Sequence, residues 1–167
     1  MKKLMMTLAL GLTLALAAQA QTIVDIAAGS KAHTTLVAAV KAAGLVDALN
    51  GKGPLTVFAP VNDGFGKLPA GTVEGLLKPE NKGQLTAVLT YHVVAGNLDA
   101  KAVLAAIEAG KGKAVLTTLQ GGQLTATVEN GKVVLTDANG GKSVVVATDL
   151  KASNGVIHVI DTVVLPK

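Results

Sequence analysis

Apolar and polar positions follow two different periods along this chain. Up to Ala109, apolar residues recur mainly at the three- and four-residue intervals that are typical of amphipathic helices. From Lys113 onward the period becomes two, which predicts strands over Ala114–Leu119, Gln123–Glu129, Lys132–Thr136 and Lys142–Ala147. Helices that precede a β-meander predict an α+β domain.

The helical part is divided by glycines, prolines and capping residues. Helices are predicted over Thr22–Ala28, up to Ala43, over Leu45–Leu49, Pro69–Lys78, Pro79–Leu89 and Ala100–Ala109. Candidate N-caps are Ser30 or Thr34, Asn62 or Asp63, Thr72, and Asp99. Gly44 is the expected C-terminal stop of the helix that ends at Ala43. Two short strands interrupt this part, one over Leu55–Ala59 and ended by Pro60, the other over Tyr91–Val94.

The last strand is the strongest prediction of the chain. Residues Val156–Leu165 are rich in β-branched side chains, contain no Gly or Pro, and follow the turn pair Asn154-Gly155. Both faces of this ten-residue strand are mostly apolar, so we expect it at the centre of the sheet beside the Leu55 strand, covered on both sides. Its polar residues, His158 and Asp161, then need hydrogen-bonding partners.

Three motifs resemble the fasciclin (FAS1) domain. The first is the run Leu-Thr-Val-Phe-Ala-Pro-x-Asn-Asp-x-Phe, whose motif residues are Thr56, Phe58, Pro60, Asn62, Asp63 and Phe65. The family usually has Thr or Ser where this chain has Val61, so one hydroxyl hydrogen bond is expected to be missing. The second motif includes Asn154, Gly155, His158 and Asp161, and the Tyr91-His92 pair lies between the two.

This resemblance covers Thr22 to Pro166 and implies a fold. It implies a fasciclin-like β-sandwich or wedge with an N-terminal and central layer of short helices. Residues 21–167 are then one domain, which we expect to be a monomer.

The first twenty residues have the pattern of a secretory signal peptide. A basic start is followed by an uncharged apolar run from Leu4 to Leu16 and by the small-x-small site Ala18-Gln19-Ala20. Cleavage after Ala20 would give a secreted or periplasmic protein, and no other segment predicts a transmembrane helix. The chain has no Cys, which excludes disulfides and thiolate chemistry.

Composition also argues against nucleic-acid binding. The formal net charge is +4, but all fifteen basic residues are Lys and are scattered along the chain. The bidentate readout of bases or phosphates that Arg provides, and stacking aromatics, are therefore missing.

Candidate catalytic and metal-binding residues are few. Ser30, Ser143 and Ser153 do not lie in a Gly-x-Ser-x-Gly motif, and the histidines do not form a His-x-x-x-His pair. We therefore expect no enzyme activity, metal or cofactor. A hydrolase or metalloenzyme would require His92 and His158, or either of them with a Ser or an Asp, to converge around an open pocket. Both His158 and Asp161 are interpreted as structural residues of the core.

The resemblance to fasciclin domains implies adhesion to a protein, a cell surface or a matrix. Carried over to this chain, the partner-binding candidates are Tyr91, His92, Leu89, Val93 and Val94. A competing interpretation is that the Tyr-His pair only satisfies buried polar groups. The alternative function is that of a carrier for a small apolar ligand or lipid, since the interior is rich in aliphatic side chains and poor in aromatic ones.

Overall fold

Seven short α-helices occur in the part of the chain that the computed structural model describes, residues 21–167. They are α1 (Ile23–Ala28), α2 (Thr34–Ala43), α3 (Val46–Asn50), α4 (Asn62–Gly66), α5 (Thr72–Leu77), α6 (Lys82–Tyr91) and α7 (Ala100–Ala109). Two 3₁₀ turns, Lys31–His33 and Pro79–Asn81, precede α2 and α6. The predicted signal peptide, residues 1–20, lies outside the described residues.

The predicted N-cap of α7 and the predicted C-terminal stop of α2 match the structure. Asp99 Oδ1 accepts a hydrogen bond from the Ala102 amide at 2.7 Å, which confirms it as the cap of α7. Gly44 ends α2 at a φ of 70°, a left-handed conformation that favours glycine.

The predicted caps of α2, α4 and α5 are wrong. His33, Val61 and Gly71 occupy the N-cap positions, and none of them makes a side-chain capping bond. The Asn62 side chain instead joins two segments, because its Oδ1 accepts from the Thr35 amide at 3.0 Å and its Nδ2 donates to the Lys31 carbonyl at 3.0 Å. A tertiary contact has thus taken the place of the predicted local cap.

Within residues 21–167, seven strands form one sheet. They are β1 (Leu55–Pro60), β2 (Val93–Ala95), β3 (Lys113–Thr117), β4 (Gln123–Glu129), β5 (Lys132–Thr136), β6 (Lys142–Ala152) and β7 (Gly155–Ile160). Their order in the sheet is β2-β1-β7-β6-β5-β4-β3, and only the β1–β7 pair is parallel.

The two outer strands of the sheet approach each other. Val94 and Thr118 form an isolated antiparallel bridge, and the Leu119 amide donates to the Val93 carbonyl at 2.8 Å. The sheet is therefore nearly closed into a barrel. The α+β class is confirmed, but a sandwich of two separate sheets is not.

The last strand is central, as predicted, but shorter. Residues Val156 to Ile160 are all buried, and β7 lies between β1 and β6. The strand ends at Ile160 rather than Leu165 because Asp161 turns toward β6. Its amide donates to the Val144 carbonyl at 3.1 Å, and its carboxylate accepts from the Val144 amide at 2.9 Å.

The strand predicted over Tyr91–Val94 is also wrong in its first half. Tyr91 is the last residue of α6, His92 is its C-cap, and β2 starts only at Val93. The helix continues past Leu89 because its apolar stripe, which includes Leu85 and Val88, still faces the core at Tyr91.

Two apolar cores lie on the two sides of the β1–β7 pair. On β1, Val57 and Ala59 belong to the core beneath the N-terminal helices, whereas Phe58 belongs to the core inside the nearly closed sheet. On β7, Ile157 and Ile160 divide in the same way. Because successive side chains of a strand point to opposite faces, this one pair of strands contributes residues to both cores.

Asn154 ties three segments together at the start of this pair. Its Nδ2 donates to the carbonyls of Leu49 at 2.6 Å and Gly51 at 3.1 Å, and its Oδ1 accepts from the Ile23 amide at 3.1 Å. The next residue must be small, because a Cβ on Gly155 would lie 1.9 Å from the Leu55 carbonyl oxygen. The Asn154-Gly155 pair therefore forms a turn and also connects distant segments of the chain.

Asn154→Ala should lower the free energy of unfolding by about 2–4 kcal/mol, because three partly buried backbone groups lose their partner. Urea unfolding followed by circular dichroism measures this change. The exposed Asn97 is the matched control, and Asn97→Ala should change the same quantity by less than about 0.5 kcal/mol. A similar loss in both variants would contradict the role assigned to Asn154.

Candidate functional site

Tyr91 is completely buried and links three parts of the fold. Its hydroxyl donates to the Gln123 carbonyl at 2.6 Å and accepts from the Ala138 amide at 3.0 Å. Burial raises the pKa of Tyr91. The hydrogen bond from the Ala138 amide lowers this pKa, and the nearby Asp137 carboxylate raises it. The tyrosine is therefore a neutral donor that fastens the end of α6 to β4 and to the loop after β5.

His92 is buried beside it and is also fully bonded to the backbone. The Val88 carbonyl lies 2.7 Å from Nδ1, and the Val164 amide donates to Nε2 at 3.2 Å. These partners assign the proton to Nδ1, since Nε2 must accept. Burial lowers the pKa of His92 to about 4, although the Val88 carbonyl and the Asp137 charge act in the opposite direction.

The predicted partner-binding residues all lie beneath the surface. Tyr91 and His92 are 0% and 2% exposed, so neither side chain of the pair faces solvent. Leu89, Val93 and Val94 are buried as well. Direct contact of these five residues with a partner stays a prediction, and their observed contacts are internal.

Three of these residues form part of the wall of an apolar pocket. The pocket lies between the N-terminal helices and the β1–β7 pair and has a volume of about 60 Å³. Leu89, His92 and Val93 contribute to one side, and Leu119, which is 50% exposed, lies at the rim. The other side is lined by Ile23, Val24, Leu36, Val37, Val40 and Leu49, among others. Because both nitrogens of His92 already have partners, the pocket presents almost no free polar atom.

Residues of the first motif hold turns and fill the core and do not line this pocket. The Thr56 hydroxyl donates to the Gly96 carbonyl at 2.8 Å and accepts from the Leu98 amide at 2.9 Å. Phe58, Pro60 and Phe65 are buried, whereas Asp63 is exposed in the first turn of α4. These motif residues are therefore structural. Asp63 is the exception, because no contact of its side chain explains why it belongs to the motif.

His158 and Asp161 have backbone partners, as their structural interpretation requires. His158 Nε2 contacts the Leu98 carbonyl, Nδ1 accepts from the Asp149 amide at 3.4 Å, and the ring stacks on Phe58 at a centroid distance of 5.6 Å. Partial burial acts to raise the pKa of Asp161. Hydrogen bonds from the Val144 amide and two hydroxyls, together with the Lys67 charge, outweigh it and lower that pKa.

The arrangement does not favour acid–base or metal chemistry. His92 and His158 are bonded to different backbone segments, so neither offers a free nitrogen to a substrate. Within residues 21–167, no three His, Asp or Glu side chains are grouped as metal ligands. The only buried side-chain nitrogen or oxygen without a hydrogen bond in this range is Nε2 of His33, and burial lowers the pKa of that histidine.

Asp137 is a structural residue that its sequence pattern alone does not single out. Its Oδ1 accepts from the amides of Asn139 at 2.9 Å and Gly141 at 2.8 Å, and its Oδ2 accepts from the Leu165 amide at 3.0 Å. The Asp-Ala-Asn-Gly turn signal indicates the local bonds. The bond to Leu165 depends on the tertiary fold.

Comparison with known proteins identifies the fold and the family. The structure resembles a FAS1 domain pair from the insect cell adhesion molecule fasciclin I, with a TM-score of 0.75 over 87% of this chain and 51% of that chain, at 22% identity. The sequence profile of the fasciclin domain matches residues 31–166. This chain therefore belongs to the fasciclin domain family.

Sequence relatives occur in bacteria and in mammals. The chain is 53% identical over 147 residues to protein sll1483 of Synechocystis sp., an alignment that covers 88% of this chain and 74% of that protein. It is 37% identical to transforming growth factor-beta-induced protein ig-h3 of Sus scrofa, over 87% of this chain but only 19% of that protein. No helix within residues 21–167 is both long and apolar enough to cross a membrane.

Stability should fall as the pH decreases from about 6.5 to about 4. In this window an unfolded His92, with its ordinary pKa of 6.5, binds a proton that the folded histidine, with a pKa of about 4, does not bind. This difference between the two pKa values corresponds to a loss of about 3 kcal/mol in the free energy of unfolding. Urea titrations at several pH values measure this loss. Asp161 contributes stability that is lost only at lower pH, as the pH falls below its ordinary value of 3.8.

His92→Gln is the variant that isolates this effect. It should be less stable than the wild type at pH 7 but should lose less stability on acidification, and His33 would account for the remaining slope. An unchanged slope in the variant would show that His92 is not the group responsible.

Proposed function

We propose that this chain is an exported, non-enzymatic binding module that attaches to a protein, a cell surface or a matrix. Membership of the fasciclin family supports this proposal, as does the description of the structurally similar fasciclin I as a cell adhesion molecule. The signal-peptide pattern of residues 1–20 supports export.

The observation that carries the proposal is the partly open apolar pocket beside the Leu89–Val93 segment. The buried members of this segment shape the pocket, while Leu119 at the rim is accessible to a partner. Pockets that hold a whole small ligand usually measure about 300–1,000 Å³. A cavity of about 60 Å³ suits one aliphatic side chain of a partner surface instead.

Leu119→Asp should abolish or strongly weaken attachment, since it places a charge at the rim of an apolar contact. The measurement is binding of the labelled protein to cells of its own host and to the material that they shed. Val146→Asp is the matched control, because Val146 is 53% exposed in β6 and does not line the pocket. Equal binding by two folded variants would remove the pocket from the contact surface, and no binding by the wild type would contradict the function.

A second candidate function is that of a carrier for a small apolar ligand, favoured by the almost wholly apolar lining of the same pocket. In that case the N-terminal helices must move outward, because the resting cavity is too small for a lipid chain. Native mass spectrometry of freshly purified protein should then show an added mass that denaturation releases. A single species at the mass of the unmodified chain would contradict this second function.

A further inference from the structure

A second concave surface adjoins the C-terminal end of α3, next to the apolar pocket. This polar cleft is lined by Asn50, Gly51, Lys52, Gly53, Pro54, Asn97, Asp99, and the segment Lys151–Val156, and has a volume of about 740 Å³. Its size is that of a site for a small molecule or a short piece of polymer. None of the partner-binding candidates of the sequence lines it.

The floor of the cleft is a rigid crossing of two backbone segments. A Cβ on Gly53 would lie 1.8 Å from the Asn154 carbonyl oxygen, so the two loops touch through their main chains. The Asn154 side chain fastens the same loops through Leu49 and Gly51. The cleft is therefore preformed, and binding does not have to order it.

The walls carry amide and hydroxyl groups that are not used by the fold. Asn62, Asn81, Asn139 and Asn154 hydrogen-bond through their side chains to the backbone. Among residues 21–167, the asparagines whose side chains make no such bond are Asn50, Asn97 and Asn130, and the first two line the cleft. Asn130 is explained by its turn position at a φ of 52°. Ser153 adds an exposed hydroxyl to the same wall.

The charge of the cleft is positive. Lys52 and Lys151 are exposed, and within the described part of the chain neither forms an ion pair, since the pairs found there involve Lys67 and Lys142. Asp99 is the one acid of the lining, and its Oδ1 is occupied by the cap of α7. The cleft therefore offers two ammonium groups against one partly engaged carboxylate.

This set of groups favours a carboxylate-bearing sugar over a protein or a nucleic acid. Stable protein contacts need a buried apolar or aromatic centre, but the lining has no aromatic residue and its apolar side chains are only Pro54, Ala152 and Val156. Single-stranded nucleic acids need stacking aromatics, but Phe58, Phe65 and Tyr91 are all buried. Amides and hydroxyls pair well with sugar hydroxyls, and lysines provide point charges for carboxylates.

We infer that the cleft formed by the Asn50–Pro54 loop, Asn97 and the Lys151–Asn154 segment binds an acidic saccharide chain. Because the cleft has no aromatic side chain on which a sugar ring could stack, each single sugar unit binds weakly. Firm attachment therefore depends on several acidic sugar units along one polymer. This second site does not depend on the apolar pocket, and the two can act on different parts of one cell surface or matrix.

Titration of the ¹⁵N-labelled full-length protein with hexagalacturonate tests this inference by NMR. Binding should shift the amides of Lys52, Asn97 and Ser153 and should weaken as salt is added. The double variant Lys52→Gln, Lys151→Gln should bind about tenfold or more weakly, since two charge-assisted contacts are lost. The control Lys41→Gln, Lys78→Gln removes the same charge from two exposed positions outside the cleft, one in α2 and one directly after α5, and should bind like the wild type.

Maltohexaose, hexaglutamate and inorganic phosphate distinguish an acidic sugar from its separate chemical features. Each should shift the cleft amides much less than hexagalacturonate does. Equal binding of any of these three, shifts that map elsewhere, or equal weakening in the two double variants would overturn the inference. The attachment assay with Leu119→Asp tests the apolar pocket, whereas the NMR titration tests the polar cleft. A negative result for one site therefore does not affect the test of the other.

Discussion

The parallel pairing of β1 with β7 is the constraint on which the rest of this structure depends. Parallel strands require a long crossover, and here the crossover from Pro60 to Gly155 contains α4–α7 and β2–β6. The pair must be covered on both faces because both faces are apolar. The N-terminal helices cover one face, and the nearly closed sheet with α7 covers the other.

Polar side chains that are buried or partly buried fix the connections around this pair. Tyr91 donates to the Gln123 carbonyl, 32 residues later in the chain, and His92 accepts from the Val164 amide, 72 residues later. Asn154 donates to the Leu49 carbonyl, 105 residues earlier. Leaving any of these backbone groups without a partner would cost about 1–3 kcal/mol. These three residues are therefore explained by the folding of irregular segments, and the proposed recognition surfaces are the ones that these segments shape.

The two candidate recognition surfaces share one structural boundary. Leu49 lines the apolar pocket, whereas Asn50 and Gly51 line the polar cleft. Asn154 binds the carbonyls on both sides of this boundary and fixes the C-terminal end of α3. One side therefore provides an apolar contact and the other a charged, hydrogen-bonding contact, which suits a module that attaches to a chemically mixed surface.

The sequence by itself determined the α+β class, the central two-sided strand, the Asp99 cap and the Gly44 stop, because periodicity, capping and glycine conformation are local properties. The motifs also identified the family, which the comparisons confirm. Only the tertiary structure decided that β7 ends at Ile160, since the Asp161 carboxylate bonds to the Val144 amide of the neighbouring strand β6. It also decided that Tyr91 belongs to a helix and is buried with His92, because short apolar runs suit a helix or a strand equally and packing makes the choice.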